Sequence, residues 1–151
     1  MMELQIIPKQ DNIPAFDTKE IQVQYMEYGH KNYSGDEITE DLISNFLRQI
    51  PSGMDAILYL DPDGEDNWME VLCDGEWLAL GFCGDFGQNN YYSYNPAFAG
   101  KPDMTRLKSG GQSPIEKMLA LQDIEIGVKA VAYFIRTGEF YPGIDWAKQL
   151  T

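Results

Sequence analysis

From Glu20 to Tyr28 apolar and polar positions alternate, with Ile21, Val23 and Tyr25 set against Gln22, Gln24 and Met26. Period two is the pattern of a half-buried strand. The residues before it, 1–19, contain Pro8 and Pro14 and no period, which predicts an irregular lead-in or an edge strand. Asn32 to Asp36 is turn-like. The spacing then changes, and Ile38, Leu42, Ile43, Phe46, Leu47 and Ile50 predict an amphipathic helix that ends before Pro51 and Gly53. From Met54 the period returns to two. Strands are predicted over Ala56 to Leu60, Asn67 to Cys73, Glu76 to Cys83 and Asn90 to Tyr94, with turn chemistry at Asp61-Pro62-Asp63-Gly64.

Asp74-Gly75 between two alternating stretches predicts a two-residue hairpin turn that sets Cys73 opposite Glu76, Val71 opposite Leu78 and Met69 opposite Leu80. One face then carries Met69, Val71, Leu78, Leu80 and Phe82, assigned to the helices. The other carries Trp68, Glu70, Leu72, Trp77, Ala79 and Gly81, mixed and partly exposed. Asn95 to Gly111 reads as a loop and Lys117 to Leu121 as a last strand. A second helix follows. Asp123 is its N-cap; Ile124, Gly127, Val128, Val131, Phe134 and Ile135 form its apolar face; Gly138 and Pro142 end it. Ile144 and Trp146 read as a tail folded back onto the body. The expected fold is α+β, one domain over residues 1–151, with a largely antiparallel sheet of five or six strands and two amphipathic helices on one face.

Charge sharpens the picture. The net charge is −13, a surface that repels nucleic acid and anionic lipid and attracts basic partners. Its distribution is uneven: between Arg48 and Lys101 there is no Lys or Arg, yet that stretch holds Asp55, Asp61, Asp63, Glu65, Asp66, Glu70, Asp74, Glu76 and Asp85. It also carries the rings of Trp68, Trp77, Phe86, Tyr91, Tyr92 and Tyr94. Tyr and Trp supply much of the energy at protein interfaces, though they are equally ordinary in sheet cores. With no basic, apolar leader at Met1 and no apolar run long enough to cross a bilayer, the expected location is the cytoplasm.

Little of the remaining chemistry points to catalysis. Cys73 and Cys83 project from opposite faces of the predicted hairpin and are expected as free thiols. The one histidine, His30, lies in a predicted turn between Gly29 and Lys31 with no partner evident. Asp61 to Asp66 lacks the glycine at position six and the glutamate at position twelve that an EF-hand loop requires. Gly81 to Gly87 lacks phosphate-loop spacing. No cofactor or metal is expected, and no catalytic residue. A calcium- or other ligand-binding acidic module, and a small hydrolase using cleft carboxylates, are the alternatives.

Several stretches together resemble a known family. Tyr91-Tyr92, the loop with Gly110-Gly111, the apolar Met118–Leu121 and the ending Phe134-Ile-Arg-Thr-Gly138-Glu-(x)2-Pro142-(x)3-Trp146 are similar to the deaminase-associated immunity proteins of bacterial polymorphic toxin systems, the first of the numbered immunity-protein families. The upstream order of amphipathic helix, strand, acidic turn and hairpin around Asp74-Gly75 fits as well, and the resemblance spans about residues 36–147. It implies an inhibitor rather than a catalyst, a protein that neutralises a toxin, often a nucleic-acid deaminase. Such a toxin approaches its substrate with positive charge. The clustering of acids and rings, not the resemblance, nominates the contact residues: Asp61, Asp63, Glu65, Asp66, Trp68, Trp77, Asp85, Tyr91 and Tyr92.

Overall fold

A computed structural model describes residues 2–13, 15–16 and 19–150. Of the predicted lead-in, Met1, Pro14, Asp17 and Thr18 lie outside the described residues, as does Thr151. The fold is α+β, and its sheet is larger than the pattern predicts. Eight antiparallel strands stand in the order β1-β10-β7-β6-β5-β4-β2-β3, and a separate two-stranded sheet pairs β8 with β9. In chain order these are β1 (Glu3–Ile7), β2 (Tyr25–Tyr28), β3 (Lys31–Ser34), α1 (Glu40–Gln49), β4 (Met54–Tyr59), β5 (Trp68–Cys73), β6 (Leu78–Gly84), β7 (Asn89–Tyr94), β8 (Met104–Ser109), β9 (Ser113–Glu116), α2 (Ile124–Thr137) and β10 (Asp145–Leu150).

The helices arise from the signals that predict them. Asp123 caps α2 by accepting from the Ile126 N–H at 3.1 Å, and Gly138 ends it in the left-handed region at φ 72°. Thr39 caps α1 in the same way through the Leu42 N–H. Ile43 and Phe46 of α1 join Val131, Phe134 and Ile135 of α2 in one buried cluster with Met26, Leu58, Met69, Val71, Leu78 and Leu80 of the sheet. Gly127 lets α2 approach closely, since a Cβ there would sit 2.8 Å from the Leu78 side chain. Arg136 ties the two helices at their surface through a bidentate pair with Glu40, which holds that carboxyl below its ordinary value.

Four expectations need correction. The β5–β6 turn is Gly75-Glu76, not Asp74-Gly75. Gly75 takes φ 89°, while the Asp74 carboxylate accepts from the Glu76 and Trp77 N–H groups at 2.9 and 2.8 Å. Cys73 therefore pairs with Leu78 and Val71 with Leu80, a slip of two residues from the predicted register. Because side chains alternate with period two, a slip of two leaves every residue on its predicted face. Second, the strand predicted from Glu20 begins only at Tyr25, its inward residues are Met26 and Tyr28 rather than Tyr25, and the stretch 32–36 read as a turn falls largely in β3, which pairs with β2. Third, the predicted loop from Asn95 to Gly111 contains β8, and Lys117–Leu119 is a short 3-10 turn. Finally, the predicted tail is β10, an interior strand between β7 and β1, with Trp146 donating its indole N–H to the Tyr141 carbonyl at 2.8 Å.

The β8–β9 hairpin covers part of the sheet face away from the helices. Leu107 and Ala120, with Phe98 and Ile115 beside them, pack on Leu72, Trp77 and Ala79. The hairpin tip is held by a carboxylate. Glu70, 9% exposed, accepts from the Ser109 hydroxyl at 2.6 Å and from the Gly110 N–H at 3.1 Å. Glu70→Gln keeps the shape but weakens the acceptor set, so a stability loss of about 1–3 kcal/mol is expected. Amide exchange at Gly110 should speed up in parallel; unchanged exchange there would mean that apolar packing alone holds the tip.

Candidate functional site: an acidic recess above an aromatic row

Strands β4 to β7 form an antiparallel meander, so alternate turns share an end of the sheet. The β4–β5 loop and the β6–β7 loop thus meet at one end, and the β5–β6 turn lies at the other. That topology brings Asp61, Asp63, Glu65 and Asp66 of the first loop beside Asp85 of the second, around a recess of about 420 Å³ completed by Asn67 and Phe86. No basic residue lines it.

Local bonds shape the recess. The Asp61 carboxylate accepts from the Asn67 side-chain amide at 3.2 Å, and Asp63 accepts from the Glu65 N–H at 3.3 Å. Asp66, only 8% exposed, receives the Phe86 N–H on both oxygens at 3.2 Å and so locks one loop to the other. Gly64 lets the same loop approach the sheet: it takes φ 68°, and a Cβ there would lie 3.0 Å from the Tyr25 ring. Although five carboxylates gather, no group of His, Cys, Asp or Glu among the described residues is disposed to hold a metal ion.

Directly beneath the loops, one register row crosses the sheet: Tyr25, Tyr59, Trp68, Cys83 and Asn90 stand opposite one another in turn. Tyr25 and Tyr59 meet edge to face at 5.4 Å between centroids, and Trp68 lies 6.5 Å from Tyr59. All three rings are half-buried on the face away from the helices. The Tyr59 hydroxyl donates to Glu27 at 3.4 Å; burial first, and then that carboxylate, raise its pKa. Cys83 is likewise raised by burial and then by the charge of Asp66, which leaves it a thiol rather than a nucleophilic thiolate at neutral pH. Both cysteines are free, Cys73 within the helix-side core and Cys83 on the opposite face.

The structure splits the nominated contact set. Asp61, Asp63, Glu65, Asp66 and Asp85 converge, and Trp68 follows directly on the lining residue Asn67, at the start of β5, without lining the recess itself. Trp77 does not belong with them. It is 4% exposed at the far end of the meander, stacked edge-on against Phe98 at 5.5 Å with the Lys117 ammonium over its ring. Tyr91 and Tyr92, adjacent in a strand, face opposite sides. Tyr91 packs on Phe140 on the helix side, while the Tyr92 hydroxyl donates to Gln149 on the other. Only one of them can share a face with Trp68. The sequence reading missed Tyr25 and Tyr59, which reach Trp68 only through strand pairing. It counted Phe86 among the rings without nominating it, although an aromatic inside the polar turn Gly84-Asp85-Phe86-Gly87 is itself a signal.

The fold and site define an α+β antiparallel-sheet protein that presents a carboxylate-lined recess at one end of the sheet, where the strands begin a row of half-buried rings. No protein-family model matches the chain, and no curated protein matches it. Among the described residues no helix is long and apolar enough to cross a membrane.

Proposed function

We propose that this protein is an immunity protein: it binds a cognate bacterial toxin, of the nucleic-acid-targeting deaminase type, and neutralises it by covering the toxin's basic active-site groove. It acts in the cytoplasm and performs no chemistry of its own. The observation that carries the reading is the convergence of five carboxylates from two loops on a recess lined by no cation. A toxin that acts on DNA or RNA needs positive potential around its active site. An acidic surface steers toward such a groove, and the adjoining rings of Tyr25, Tyr59 and Trp68 offer apolar contact once it is reached. The resemblance over residues 36–147 points the same way.

The test begins with the reading frame immediately upstream of this protein's own, expected to encode a large secreted protein ending in a toxin domain. Expression of that domain alone should stop growth. Co-expression with this protein should restore it, and the two should co-purify. A toxic domain whose effect is unchanged by co-expression sinks the proposal.

A further inference from the structure

Phe86 is the most exposed large apolar side chain among the described residues, at 84%, and the next, Met104, reaches only 51%. Its backbone is unusual as well. Phe86 has φ 51° and ψ 44°, in the left-handed region, and Asp85 before it has φ 49°. Aspartate tolerates that region through its short polar side chain, but a bulky aromatic there is a true outlier and is strained. The turn already uses glycine, at Gly84 two positions before and at Gly87 directly after, and a glycine at 86 would relieve the strain at no steric cost. Instead the chain holds a phenyl ring in solvent and clamps it there, both oxygens of the nearly buried Asp66 accepting its N–H.

The Asp66 bonds hold the backbone, but the ring itself, 84% exposed, gains nothing within the chain from a strained position, which points to a contact outside it. The surroundings indicate the chemistry of that contact. The ring stands on the rim of the recess lined by Asp61, Asp63, Glu65 and Asp85. A nucleic acid would be repelled by those charges, and a bare cation would leave the ring unused. A protein surface with an apolar recess flanked by Arg or Lys satisfies both, since the recess buries the ring, the carboxylates pair with the cations, and a guanidinium can also lie over the ring face. We propose that Phe86 is the anchor side chain of the complex, inserted into such a recess of the basic toxin domain. This rests on the inhibitor reading above and adds the residue that sets the lifetime of the complex.

The probe is the toxin domain encoded upstream, presented to the full chain and to its Phe86→Ala and Phe86→Gly variants in a surface-binding experiment. Both variants should dissociate about thirtyfold faster or more, the loss expected of a truncated hot-spot ring. Their association rates and salt dependence should match the wild type, because no charge has changed. Since the ring is exposed, Phe86→Ala should fold normally, and Phe86→Gly should melt above the wild type. Wild-type binding and protection with a Phe86→Ala dissociation rate that differs little from wild type overturns the anchor and leaves the inhibitor reading standing. A Phe86→Gly variant that melts below the wild type overturns the strain argument. A wild-type protein that neither binds nor protects removes the reading itself, and the anchor with it.

Discussion

With Asp61 and Asp63 both reversed to lysine, association with the cognate toxin domain is expected to slow by about ten- to a hundredfold at low ionic strength. The two residues sit on one loop of the recess, where three other carboxylates face the same space. Reversal therefore places two cations in the path of a cationic partner and converts steering into repulsion. The difference should shrink as salt is added, because the screening length falls from about 10 Å at 0.1 M to about 3 Å at 1 M. Dissociation should change less, since charges at the edge of an interface act mainly on encounter. Stopped-flow association across a salt series is the measurement, with thermal melting as the control for the lost Asn67 and Glu65 bonds. A salt-independent wild-type rate, untouched by the double reversal, would remove the electrostatic half of the proposal.

The second large effect concerns a residue that belongs elsewhere. Trp77→Ala is expected to cost about 3–5 kcal/mol of stability, the usual range for deleting a buried large ring. The indole is enclosed by Leu72, Ala79, Leu107 and Ala120, with Phe98 edge-on and the Lys117 ammonium above it. Its loss would leave a void between the large sheet and the β8–β9 hairpin. Denaturant unfolding should show the midpoint fall while toxin association at a temperature where the variant is folded stays as in the wild type. A slower association without loss of stability would return Trp77 to the interface. Together the two variants separate the ends of the meander: charge and partner contact at one, packing of the covering hairpin at the other.

Between these two sites lies the measure of what could be read in advance. Asp123, Gly138 and the apolar spacing between them announced α2 within a residue, because caps and helical period are properties of neighbouring residues. The division of β5 and β6 into a helix-facing and an outward face also held, even though the turn moved to Gly75-Glu76, since a two-residue slip conserves side-chain parity. Less was legible where the signal was short or mixed. In β8 only Thr105 and Leu107 alternate inward, within a stretch whose Pro, Gly and Lys content reads as loop. In β10 the tail residues Ile144 and Trp146 are apolar enough to be buried, yet nothing local says that they lie in or beside an interior strand.

The amino-acid sequence by itself thus determined the two helices, the four strands β4 to β7, the inward faces of the central hairpin and an acidic, ring-bearing, cation-free middle. Which of those acids and rings are neighbours was decided only by the tertiary structure. Asp66 and Asp85 stand nineteen positions apart and meet because an antiparallel meander returns alternate turns to the same end. Tyr91 and Tyr92 are adjacent and are separated by the thickness of the sheet. Period and capping act over a few residues and are written in the order of the chain, whereas the company a side chain keeps depends on strand length, strand order and what covers the sheet, and these are set by the fold as a whole.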